Sequence, residues 1–135
     1  MDWVPSIMLL YGKEPVCVIT ESRYQEYVDA WNNQDIPKII GFHDENCTYE
    51  DVAYSIKVEG LDQLQDFLIG VFKSIPDFKL HVLSYQATDV AAASEWIMSG
   101  TRNGLQFEER GSTIMEVKNN KLVRNSDYHN LGSAI

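Results

Sequence analysis

From Lys79 to His129 the sequence is written in period two, with no helical run to interrupt it. "KLHVLSYQA", "VAAASEWIMSG", "LQFEERGSTIMEV" and "KLVRNSDYH" follow one another through short polar breaks. Alternation sustained over this length predicts four consecutive strands, and short connections make them an antiparallel meander. Val90, Ala92, Trp96 and Met98 share the more apolar face of the second strand. Leu105, Phe107, Met115 and Val117 share that of the third, together with Glu109 and Thr113. A sheet that is apolar on one face must be covered on that face.

The cover comes from the preceding segment. Tyr24, Tyr27, Val28 and Trp31 repeat at helical spacing, with Ser22 and Gln25 as a capping box. "NNQD" breaks this helix, and a short second one starts near Asp35, with Pro37 in its first turn and Ile36, Ile39 and Ile40 inward. A third helix is expected from about Gly60 to Ile75, with Leu61, Leu64, Leu68, Val71 and Ile75 as its stripe and Pro76 ending it. Helices first and a meander last predict an α+β fold, with helices on one face of a curved sheet.

The chain has 135 residues, the length of one domain. Residues 1–19 read as an arm and 20–135 as a single domain. The net charge of -9 argues against nucleic acid or an anionic membrane as partner, since both need a positive footprint. "SIMLLY" is too short to span a bilayer, and "MDWVP" lacks the basic start of a signal peptide. Two cysteines without metal spacing predict neither a disulfide framework nor a metal site, and a reduced, cytoplasmic setting is expected.

Between the helices lies "NCTYEDVA", with "YSIKVE" as the expected pairing partner. Its alternation puts Cys47, Tyr49, Asp51 and Ala53 on one face, so a carboxylate points inward among apolar neighbours. A second inward acid depends on the turn in "VKNNKL". A two-residue turn at Asn119-Asn120 sets Asp127 opposite Ser112, on the polar face. A three-residue loop with Asn120 left-handed sets it opposite Gly111, facing in with Asn125 and His129. Both are open, since Asn tolerates positive φ; the pattern favours the three-residue loop. Glu109 is the alternative inward acid if Asp127 faces out.

"QEYVDAWNNQDIPKIIGFHDENCTYED" resembles the opening of ketosteroid isomerases and SnoaL-like polyketide cyclases, which share the nuclear transport factor 2-like fold. "VEGLDQLQDFL", "IPDFKLHV", "SEWIMSGTRNG" and "NKLVRNSDYHN" continue the SnoaL-like pattern in order and spacing, to about Gly132. The resemblance implies a cone-shaped, curved antiparallel sheet wrapped around three helices, a deep apolar pocket, and a homodimer. It implies that Asp51 is a general base and Tyr27 an oxyanion-hole tyrosine. The protonated aspartic acid of ketosteroid isomerases would fall near Thr113, where this chain departs from them. The acid/base aspartate of the cyclases falls at Asp127 or at Asn130.

A carboxyl group in an apolar pocket keeps its proton to higher pH, which suits proton transfer near neutrality. Asp51, Tyr27, Asp127 and His129 are therefore the expected catalytic set, with Asp127 and His129 as an acid/base pair on one strand. Each has a plainer reading: a carboxylate at a pocket mouth, a core aromatic, a solvated strand end. Trp31, Tyr49, Phe72, Trp96, Met98 and Thr113 are expected to line the substrate site or to belong to the core behind it. His43 and His81 read as surface or structural, and Arg102 and Arg110 as surface, with a place on the pocket rim as the alternative for Arg102. No phosphate loop or nucleophile elbow occurs, and no cofactor is expected. The expected function is an isomerase or cyclase working through an enolate on an apolar polyketide-like or terpenoid-like intermediate of secondary metabolism. A dehydratase, an epoxide-opening enzyme and a non-catalytic binding module are the alternatives.

Overall fold

The computed structural model describes residues 19–130. The arm expected over residues 1–19 lies outside that range except for Ile19, which is packed into the core. The elements run α1 (Glu21–Asn32), α2 (Ile36–Ile40), β1 (His43–Asp51), β2 (Ile56–Glu59), α3 (Gly60–Ser74), β3 (Lys79–Ala87), β4 (Ala91–Arg102), β5 (Leu105–Lys118) and β6 (Lys121–His129). Six strands form one curved, mixed sheet in the order β2-β1-β6-β5-β4-β3. Three helices cover its concave side.

Local chemistry sets the helix ends. Thr20, not Ser22, caps α1: its side chain accepts from the Arg23 amide at 3.1 Å. The threonine sits one position ahead of the helix, where the backbone is still extended and the hydroxyl can reach N3. Asp35 caps α2 by accepting from the Lys38 amide. Gly60, at φ +82°, makes the corner from β2 into α3. Leu64, Leu68 and Phe72 are the buried residues of α3, with Leu61 and Val71 partly buried.

The meander forms as expected at both β3 and β6. The sheet is not antiparallel throughout: β1 runs parallel to β6, with Tyr49 beside Asn125 and Asp51 beside Asp127. Two residues assigned to apolar faces lie outside them. Val90 is exposed in the β3–β4 turn, and Leu105 is exposed beside the tight Asn103-Gly104 turn. Both lie at the ends of hairpins.

The last hairpin settles the facing of Asp127 by a route not foreseen. Asn119 and Asn120 both take positive φ, 52° and 62°, and Lys118 pairs with Lys121. This is the two-residue turn, not the favoured three-residue loop. Alone it would turn Asp127 outward. Val117 pairs with Leu122, however, and Glu116 pairs with Arg124, so Val123 is an extra residue in β6. That bulge shifts the register by one and flips every later side chain. Asp127 ends opposite Thr113 and faces in, and His129 ends opposite Gly111.

Gly111 is needed for this packing. A Cβ there would lie 2.5 Å from Trp96 Cη2 and 2.6 Å from the Tyr128 carbonyl oxygen. Gly111→Ala should therefore force Trp96 and β6 apart and cost about 1–3 kcal/mol. Thermal denaturation measures this; an unchanged melting temperature would contradict the close approach.

Candidate active site

Between the concave sheet face and the helices lies a cavity of about 390 Å³. Aromatic and aliphatic side chains make most of its wall, among them Trp31 from α1, Phe67 and Val71 from α3, Phe78, Leu80 and Met98. Its polar groups concentrate on β1, β5 and β6: Tyr49 and Asp51, Thr113, and Asn125 and Asp127. The parallel pairing of β1 with β6 sets the two aspartates side by side on this face.

Asp127 accepts three hydrogen bonds. Tyr49 donates its hydroxyl to Oδ2, and Oδ1 accepts from Thr113 Oγ1 at 2.7 Å and Asn125 Nδ2 at 3.0 Å. Trp96 Nε1 donates to Thr113 Oγ1 at 2.7 Å, which turns the threonine proton towards Asp127. Burial pushes the Asp127 carboxyl above the usual carboxylate range, and the charge of Asp51 adds to it; the three donors act in the opposite direction and are outweighed. Burial likewise pushes the Tyr49 hydroxyl well up, with Asp127 adding to the effect.

Asp51 sits in a different environment. Its carboxylate is 16% exposed and takes His129 Nε2 at 2.9 and 3.1 Å, plus the Tyr54 amide at 3.2 Å. Behind it, His129 Nδ1 meets Glu109 Oε1 at 2.9 Å. Glu109 is fully buried, with Arg102 Nη1 3.6 Å from its other oxygen. Arg102 also donates to the Tyr54 hydroxyl at 2.7 Å. Burial alone would lower the pKa of His129, but the flanking Asp51 and Glu109 carboxylates outweigh it and hold it above the ordinary value. Both ring nitrogens face carboxylate oxygens, so the imidazolium can donate to each.

A SnoaL-like domain model matches residues 24–125. The chain belongs to the SnoaL-like domain family. Solved structures of similar fold include a protein of ketosteroid isomerase-like fold from Catenulispora acidiphila, in complex with trimethylamine. It is 16% identical with a TM-score of 0.78, over 84% of this chain and 89% of that one. A SnoaL-like polyketide cyclase from Agrobacterium tumefaciens is 18% identical with a TM-score of 0.70, over 82% and 91%. An LEH-like epoxide hydrolase from Mycobacterium tuberculosis is 16% identical with a TM-score of 0.70, over 82% and 81%. No curated protein matches the chain by sequence.

In this SnoaL-like domain, Asp51, Tyr27, Asp127, Trp31, Tyr49, Trp96, Met98 and Thr113 all line the cavity. Arg102 lines it too, which is the alternative to the surface position expected first. Phe72 does not line it: it packs edge-on against Trp31 and Phe78, in the core behind the wall. His129 bonds Asp51 on β1 and Glu109 on β5, not Asp127, whose carboxylate is taken by Tyr49, Thr113 and Asn125. The Tyr27 hydroxyl and His43 Nε2 lie 2.9 Å apart, and His43 is buried, not at the surface. Tyr49 is the tyrosine that bonds an acid. Tyr54 and the pairing of Glu109 with His129 escaped the sequence reading; Glu109 was marked only as an alternative to Asp127, yet both face in.

Removing one partner of a buried ion pair leaves the other uncompensated. His129→Ala should destabilise the fold by about 3–5 kcal/mol, and His129→Leu combined with Glu109→Leu by much less. Urea denaturation decides between them; equal losses would show that Glu109 does not depend on His129. The sign of the pH effect follows from the raised His129 pKa. Its stabilisation is full below the unfolded value of about 6.5 and is lost as pH rises through the folded value. Wild type should lose stability over that rise, and His129→Ala should not.

Proposed function

We propose that this protein is a cofactor-independent acid/base enzyme for a mostly apolar small molecule that carries a carbonyl group. The observation that carries this reading is the adjacent pair Asp51 and Asp127, in opposite environments on one wall of an apolar cavity. Two carboxyl groups whose surroundings set them apart can divide the acid and base roles. Asp51, held against the His129 imidazolium and open to the cavity, is the base that removes a proton from carbon beside the carbonyl. Asp127 and Tyr49 share a hydrogen bond at the cavity wall and supply the proton that meets the developing oxyanion. Return of the proton at another carbon gives an isomer; attack of the enolate within the molecule closes a ring. A polyketide-like or terpenoid-like substrate suits the wall of Trp31, Phe67, Phe78 and Met98, and the cyclase from Agrobacterium tumefaciens shares this fold.

The raised pKa of Asp127 favours one second reading. A protonated Asp127 can protonate a departing oxygen while Asp51 activates water, which would open an epoxide. The hydrolase from Mycobacterium tuberculosis, of similar fold, agrees with that option.

2-Tetralone in D2O separates the two, since only the first reading exchanges its α-protons. Exchange followed by mass spectrometry should be accelerated by wild type and slowed roughly 10²–10⁴-fold by Asp51→Asn. Full activity in that variant, with its fold intact, would refute the base assignment. If Asp127 acts as the acid, activity falls as pH rises through its raised pKa, and Asp127→Asn loses that alkaline limb.

A further inference from the structure

His43 opens β1 and is 3% exposed, and its two ring nitrogens have unequal surroundings. Nε2 lies 2.9 Å from the Tyr27 hydroxyl. Nδ1 is buried and has no hydrogen-bonding partner among the described residues. Burial, helped by Lys121, brings the pKa of this ring down to about 3, so at neutral pH it is uncharged and carries one proton. That proton has two places to sit. On Nδ1 it would be a buried N–H without an acceptor, and Tyr27 would donate to Nε2. On Nε2 it would be donated to the Tyr27 oxygen, leaving an unused lone pair on Nδ1 and freeing the Tyr27 proton, which, unlike an Nδ1–H, has the cavity to turn to. Orphaned buried N–H groups are rarer in proteins than under-used acceptors, so the second state is preferred.

With His43 Nε2–H donating to its oxygen, the proton of the Tyr27 phenol is left to point elsewhere. Tyr27 lines the cavity, and His43 does not.

We propose that His43 is a positioning residue, held as its Nε2–H tautomer, which donates to Tyr27 and so directs the Tyr27 proton to an acceptor oxygen of the cavity's ligand. The ligand is then bound by polarity: its carbonyl oxygen accepts from Tyr27 in addition to meeting the Asp127–Tyr49 pair, and its acidic C–H goes to Asp51. That orientation rests on the function proposed above; the tautomer does not.

The test uses the full chain labelled with ¹⁵N-histidine, with His43→Gln to assign the signals. His43 should show a pyridine-type Nδ1 and a pyrrole-type Nε2 across roughly pH 5–8, the range in which an ordinary histidine titrates. A pyrrole-type Nδ1 would overturn the proposal. Tyr27→Phe removes the acceptor, so the two tautomers should then mix; an unchanged ring would show that Tyr27 does not hold it. Donation to the ligand is read from the infrared carbonyl stretch of 2-tetralone bound to Asp51→Asn, which should lie lower than in Asp51→Asn combined with Tyr27→Phe. Equal frequencies, or no binding of 2-tetralone, count against the donor role. If the tautomer and the shift are both found but wild type exchanges no α-protons, the acid/base function fails and this inference stands.

Discussion

The bond on which this site depends is that of His129 with its two carboxylates. It ties β1 to β6 through Asp51 and β6 to β5 through Glu109. Remove the positive charge, and Glu109 is a buried anion with Arg102 3.6 Å away, while Asp51 and Asp127 stand as neighbouring acids. A buried carboxylate persists only if it is paired and hydrogen-bonded. The imidazolium supplies both requirements at once, because its two N–H groups point in nearly opposite directions. It also explains how two adjacent aspartates can differ: one has a cation behind it, the other has neutral donors.

Those neutral donors form their own chain. Trp96 orients Thr113, and Thr113, Asn125 and Tyr49 converge on Asp127. The family resemblance marks Thr113 as the position where ketosteroid isomerases carry a protonated acid. A hydroxyl cannot take over that chemistry, but in this chain it fixes the direction of an acid on the next strand. Gly111 makes this arrangement possible by leaving room for the Trp96 ring against the Tyr128 backbone.

Much of the fold was legible because period and punctuation are local. The strands Lys79–Ala87 and Lys121–His129 and the helix from Gly60 follow directly from alternation, stripe and turn residues. The inward facing of Tyr49 and Asp51 is legible for the same reason. What was hidden is relational. Alternation says which face a residue takes but not which strand lies beside it, so the parallel β1–β6 contact could not be read. The Val123 bulge leaves no mark in a run of apolar and polar residues that suits either register. The pairing of His129 with Glu109 was within reach, since the three-residue loop would set the two directly opposite; in the bulged register His129 lies opposite Gly111 and still meets Glu109. Phe72 was misplaced for a subtler reason: helical spacing separates buried from exposed, but not core from cavity wall.

The same relation bears on how the site comes into being. The β3–β6 meander closes through short-range contacts, so Asp127, Thr113, Glu109 and His129 can assemble within it. Asp51 joins only when β1 docks alongside β6, across a separation of 78 residues between Asp51 and His129. Contacts so distant in sequence carry a larger entropic cost and form late. Before docking, His129 has one carboxylate and Asp51 is solvated. Docking buries Asp51 beside Asp127, which is unfavourable, and completes its bond to the imidazolium, which is favourable. The acid pair is therefore created by the same step that compensates it. A chain lacking His129 would meet the repulsion without the compensation, and the edge formed by β1 and β2 would be the part of the sheet most weakly held.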